Sequence, residues 1–125
     1  MASLRDTRNH KVLRAERKRA TLVVVPAGDA AGFRCSDVEN ELKLLLRLLD
    51  EPEFDSVVVD LGTANYFGTT IIGCITSLGQ KAEEAGGQLA ICNSSQEMRE
   101  VMRVMHLDER WPHFESRRAA LKALS

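Results

Sequence analysis

The stretch from Phe54 to Ile75, FDSVVVDLGTANYFGTTIIGCI, constrains the fold more than any other. Val57-Val58-Val59 is an unbroken apolar run that ends at Asp60. Alternating strands cover one face only, whereas a continuous apolar strand needs cover on both, as in the middle of a layered α/β sheet. A short connection follows, holding Gly62, Thr63, Asn65 and Gly68. Thr69-Thr70 then opens an apolar segment with Ile71, Ile72, Ile75 and Leu78 at helical spacing. The pattern predicts a buried strand, a tight loop, and a helix with hydroxyls in its first turn. A helix N-terminus carries unpaired N–H groups and the positive end of the dipole. Two threonines there either cap the helix or present a hydroxyl where a phosphate is electrostatically welcome.

The rest of the chain extends this unit. Residues 1–9 are expected to be a flexible arm and residues 10–125 one domain. His10 to Arg19 alternates imperfectly and is heavily charged, which suits an edge strand. TLVVV, Thr21 to Val25, is a β-branched strand bounded by Pro26, Gly28 and Gly32. Ser36 with Glu39 forms a capping-box pattern ahead of a helix carrying Val38, Leu42, Leu45, Leu46 and Leu49, stopped by Pro52. A strand over Ser56 to Leu61 and a helix over Thr69 to Ala85 follow, the latter ended by Gly86-Gly87. Gln88 to Cys92 is a strand. Ser94 or Ser95 caps a third helix, whose expected buried face is Val101, Met102, Met105 and Leu107. A short strand near Trp111 to Phe114 and a helix from Ser116 to Leu124 complete the chain. This β, β, then alternating α and β order predicts an α/β domain. Its sheet is mixed and mostly parallel, with four to five strands and helices packed on it.

Composition excludes several classes. At 125 residues, with 44% hydrophobic and 28% charged residues, the chain suits one globular domain. A formal net charge of -1 gives no basic excess for a nucleic-acid partner. Basic residues do gather before residue 20, at Arg5, Arg8, Lys11, Arg14, Arg17, Lys18 and Arg19, which reads as a solvated face or a binding patch. No apolar stretch approaches the ~20 residues of a membrane span, and the N-terminus is charged, so no membrane partner and a cytoplasmic location are expected. Cys35, Cys74 and Cys92 show no CxxC spacing and are expected to be reduced thiols. His10, His106 and His113 have no paired ligand spacing, so no metal and no cofactor are expected. Neither G-x-S-x-G nor G-x-x-x-x-G-K occurs, and Asp60 has no second carboxylate or histidine at a useful spacing. No enzyme is expected. Met98, Met102 and Met105 lie on one side of a helix, as core or as an adaptable docking surface.

Three motifs in order carry a resemblance. They are Asp60-Leu61 through Tyr66-Phe67 to Gly68-Thr69-Thr70-Ile71, then Ala85-Gly86-Gly87-Gln88-Leu89, then Met105-His106-Leu107-Asp108 before Trp111–Phe114. The chain from about Val12 to Leu124 resembles the STAS domain of bacterial anti-sigma factor antagonists and of sulfate transporters. The family pattern has D-S-S-G where this chain has Gly68-Thr69-Thr70-Ile71. The resemblance implies a regulatory protein-binding module for transcriptional control. Its partner would be an anti-sigma factor that is a serine/threonine kinase of the histidine-kinase-like ATPase type. Thr69 matches the phosphate-accepting serine and Thr70 the neighbouring hydroxyl. The implied contact surface is Gly62, Thr63, Asn65, Tyr66, Gly68, Thr69, Thr70 and Ile72, with Asp29 in a nearby turn. Gly68 replaces an aspartate and Ile71 a glycine. These departures keep a second function open: a non-phosphorylated scaffold, self-associating as a homodimer or placed in a stressosome-like complex. A carrier of nucleotides or lipids is a third.

Overall fold

The computed structural model describes residues 3–26, 35–62 and 69–124, with backbone only at 35, 36, 69 and 70. Five strands form one sheet in the order β1-β2-β3-β4-β5. β1 (Leu13–Lys18) and β2 (Thr21–Pro26) are an antiparallel hairpin, and β3 (Ser56–Asp60), β4 (Leu89–Cys92) and β5 (His113–Phe114) join in parallel. The helices are α1 (Cys35–Leu48), α2 (Thr69–Glu84), α3 (Gln96–Val104) and α4 (Arg117–Leu124). The expected mixed, mostly parallel sheet is therefore observed. The hairpin closes through Arg19, the first of two loop residues, whose φ is +57°.

The pleat of β3 explains its sequence. Val57 and Val59 point into the larger core with Leu22, Val24, Leu89 and Ile91, where α1 and α2 pack. Val58 points the other way, into a smaller core with Val23, Ala90, Cys92 and Ala120, covered by α4. Each valine buried this way contributes roughly 1.5–3 kcal/mol. The small residues Ala90 and Cys92 on the second face let α4 sit close.

Termini of the elements follow local chemistry. α2 ends in a Schellman motif: Gly86, at φ +84°, donates to the Glu83 carbonyl and Gly87 donates to the Ala82 carbonyl. A Cβ on Gly87 would fall 1.7 Å from the Asp55 carbonyl oxygen, so only glycine fits there. Ser95 caps α3 by accepting from the Met98 amide at 3.1 Å.

Three local details add to the expectations. Within the stretch expected to be an arm, Leu4–Thr7 forms a 3-10 turn; Ser3 and Asp6 make a reciprocal capping box and Leu4 packs on the core. α1 begins at Cys35, so Ser36 lies inside its first turn instead of before it. On α3, Met98 and Met102 are buried, while Val101 is 38%, Met105 46% and Val104 69% exposed. This nine-residue helix meets the main core through Met98 and Met102 alone among its buried residues. Met98 and Met102 share one stripe, whereas Met105 is the C-cap residue, past the last turn of α3.

Candidate functional site

Parallel strands expose their chemistry at their carboxyl ends. There, Asp60 closes β3 and its carboxylate gathers donors from three elements. Oδ1 accepts from the Gly62 amide at 2.9 Å and from Asn93 Nδ2 at 3.0 Å. Oδ2 accepts from Arg117 Nε at 2.9 Å. Arg117 Nη1 in turn donates to Glu16 Oε2 on β1 at 2.7 Å. Burial pushes the Asp60 carboxyl up, but bonds from Asn93, Gly62 and Arg117 together outweigh it and hold the group below the usual carboxylate range. Asp60 is thus an ionised anchor that fixes the turn where the chain leaves β3, not a general base.

The bond to Gly62 spans two residues, an Asx-type turn that sets how the chain leaves the strand. Leu61 is held beside it by donating to the Cys92 carbonyl at 3.0 Å. Asn93 takes a left-handed φ of +58°, which turns its amide back onto Asp60. α2 then opens at Thr69, placing Thr69 and Thr70 in its first turn. Gly62 is exposed at the edge of this face.

Ile71 and Ile72 are 2% and 5% exposed and belong to the main core. Ile71, which replaces a glycine of the family pattern, therefore points inward and adds no bulk to the outer face. Ile72, expected on the contact surface, also packs inward, so its contribution is to fix α2 on the sheet. Asp29, Thr63, Asn65, Tyr66 and Gly68 lie outside the described residues, as do the side chains of Thr69 and Thr70.

No pattern in the sequence singles out Asn93, Arg117 or Glu16. They stand 33, 57 and 101 residues from their partners in this network, Asn93 and Arg117 from Asp60 and Glu16 from Arg117. The one usable signal is a polar residue just past β4, next to the carboxyl end of β3.

Other chemistry is sparse. Cys74 and Cys92 are free, buried thiols. Burial pushes Cys74 up to about 11; burial, with the nearby Asp60 charge, pushes Cys92 up to about 12. Neither is an activated nucleophile. Among the described residues no group of three His, Cys, Asp or Glu side chains could hold a metal ion. A recess of about 520 Å³, lined by Lys18, Arg19, Thr21, Asp55, Leu121 and Leu124, lies at the opposite end of the strands from Asp60. No helix of the described residues is long and apolar enough to cross a membrane.

Comparison with known proteins fits this geometry. Among curated proteins nothing matches the chain. Solved structures do. A STAS domain anti-sigma-factor antagonist protein from Planctomyces limnophilus is 25% identical, covers 91% of this chain and 98% of its own, and superposes with a TM-score of 0.73. The Bacillus cell fate determinant SpoIIAA in its phosphorylated form is 15% identical over 91% of this chain and 100% of its own, at a TM-score of 0.72. RsbS from Moorella thermoacetica is 13% identical over 91% and 95%, at 0.76. The latter two are likenesses of fold. The family model of the STAS domain matches residues 14–120, and the chain belongs to the STAS domain family.

Proposed function

We propose that this protein is a non-catalytic, anti-sigma-factor-antagonist-like module that docks on an anti-sigma factor kinase of the histidine-kinase-like ATPase type. The docking surface is the connection from Gly62 to Gly68 together with the outer side of the first turns of α2. Phosphorylation of Thr69, with Thr70 as the neighbouring acceptor, switches the docking. The kinase would move the γ-phosphoryl of ATP onto the threonine oxygen, releasing ADP and the hydroxyl proton.

The observation that carries this reading is an Asp60-anchored turn at the exit of β3 followed in the chain by a helix that opens at Thr69. A phosphate at that position gains from the helix dipole and the first-turn amides. It adds about -1.5 to -2 charges at pH 7 without working against the fold. Added charge and bulk then act on the partner and leave stability alone, as a reversible switch requires. The inward packing of Ile71 supports the reading, because the residue adds no obstacle on the outer face. The scaffold reading has less support. Of the two edge strands, β5 is only two residues long, and on β1 the exposed Arg14, Arg17 and Lys18 oppose strand addition.

Incubation with the cognate kinase and ATP, followed by mass spectrometry, tests the switch. Phosphate on Thr69 or Thr70 is expected. Phosphate elsewhere with none on either threonine overturns it. Thr69→Glu is expected to weaken kinase binding, and unchanged affinity would count against the docking role.

A further inference from the structure

Arg117 occupies an unfavourable place. It is the first residue of α4, and a cation in the first turn of a helix opposes the dipole. Ser116 already serves that end, its hydroxyl accepting from the Ala119 amide at 3.1 Å. The side chain is nonetheless held at both ends of its guanidinium, by Asp60 at 2.9 Å and by Glu16 at 2.7 Å. The Asp60 side chain is only 9% exposed, so this pair is shielded more than a surface pair. Asp60 also holds the Gly62 amide. One guanidinium therefore ties α4 to the edge strand β1 through Glu16 and to the exit of β3 through Asp60.

We propose that Arg117 is a positioning residue for the docking face: through Asp60 it fixes the turn at Gly62, and so couples α4 to the point where the proposed docking connection leaves β3. The proposal rests on the docking reading above for its consequence, but its physical content does not. With Arg117 in place, the carboxylate stays ionised and can hold two donors on Oδ1 at once. Without it, burial acts on Asp60 against only Asn93 and Gly62, with the buried Cys92 thiol alongside and Glu16 left without its cation. A partner or ligand that draws Arg117 away would loosen the Gly62 turn from the other side of the sheet.

NMR of the protein alone tests this. In the unaltered chain, the Gly62 amide and Arg117 Nε–H signals are expected to move together on acidification, since both report Asp60. In Arg117→Gln the Gly62 midpoint is expected to move to higher pH, and Leu61 and Gly62 amides to exchange about ten-fold faster, the factor set by losing a charge-assisted hydrogen bond. Arg117→Lys, which keeps a cation, is expected to hold the midpoint near that of the unaltered protein. Ser116→Ala, which weakens the same helix end without touching the ion pair, is expected to lower global stability and leave the Gly62 midpoint alone. If the two signals titrate separately, or if Arg117→Gln and Ser116→Ala behave alike, Arg117 serves only to hold α4 and the proposal falls. No partner enters these measurements, so their failure is distinct from failure of the docking reading.

Discussion

The indole of Trp111 fills the space beside Gly79 on α2: a Cβ on Gly79 would fall 2.3 Å from Trp111 Cζ2 and 2.7 Å from its Nε1. Both are buried, and the ring closes the main core under α2. Gly79→Ala forces the ring or the helix to move. Overpacking of this kind costs typically 1–3 kcal/mol. Urea unfolding is expected to show a loss of about 2 kcal/mol, although alanine is the better helix former. Stability equal to or above the parent would refute the contact.

The Glu41 carboxylate on α1 accepts from three successive backbone amides, Lys11 at 2.8 Å, Val12 at 3.0 Å and Leu13 at 2.8 Å. It thereby seats the start of β1 on the helix. Glu41→Ala leaves the buried amides of Val12 and Leu13 without an acceptor, at about 1–3 kcal/mol per buried group. A total loss near 3 kcal/mol is expected, with faster amide exchange confined first to Val12 and Leu13. Uniform acceleration across the sheet would contradict the local role.

Gly73 sits in the interior of α2, exposed, and a methyl group added there would meet nothing within 4 Å. Its cost to the helix is about 0.5–1 kcal/mol relative to alanine. Gly73→Ala is therefore expected to raise stability by that amount. Gly73 lies one turn beyond Thr69, so the same change is expected to weaken kinase docking if the partner approaches closely there. Unchanged docking would move the contact away from this turn.

His113 shows which way acid acts. Burial first, then the Arg99 charge, hold it below its ordinary value of about 6.5, with Asp108 opposing weakly. The unfolded chain then takes up this proton more readily than the folded one. The stabilising contribution is complete above about 6.5 and is lost as pH falls toward the folded value. A His113→Gln variant is expected to show a flatter stability curve over that range. An unchanged acid limb would reject the assignment.

Cys74 and Cys92 are expected to resist alkylation at pH 8, since their buried thiols are pushed up to about 11 and about 12. Peptide mapping after brief iodoacetamide treatment should find both unmodified in folded protein and modified in urea. Rapid labelling of Cys92 in the native state would mean that α4 lifts from the sheet.

The periodicities place nearly every element. Val57–Val59 demands cover on both sides, and the sheet supplies it with α2 above and α4 below. Gly86-Gly87 marks the end of α2 because only glycine takes the left-handed conformation of Gly86 cheaply and only glycine fits against the Asp55 carbonyl at Gly87. The buried face of α3 is narrower than its pattern predicts: Met98 and Met102 are buried in the main core, while Val101 and the C-cap residue Met105 are exposed.

Local preferences act over a few residues, and so the order of strands, helices, caps and the parallel sheet follows from the chain itself. The Asp60 network belongs to another class. Asn93 and Arg117 reach Asp60 only because β4 is laid beside β3 and α4 is folded across the far face. No local signal distinguishes Arg117 from Arg118; the tertiary fold puts one guanidinium between two carboxylates and leaves the other exposed. Charge pairing at such sequence separations is decided by packing, because the cost of burying Asp60 is met only once all three elements are in place.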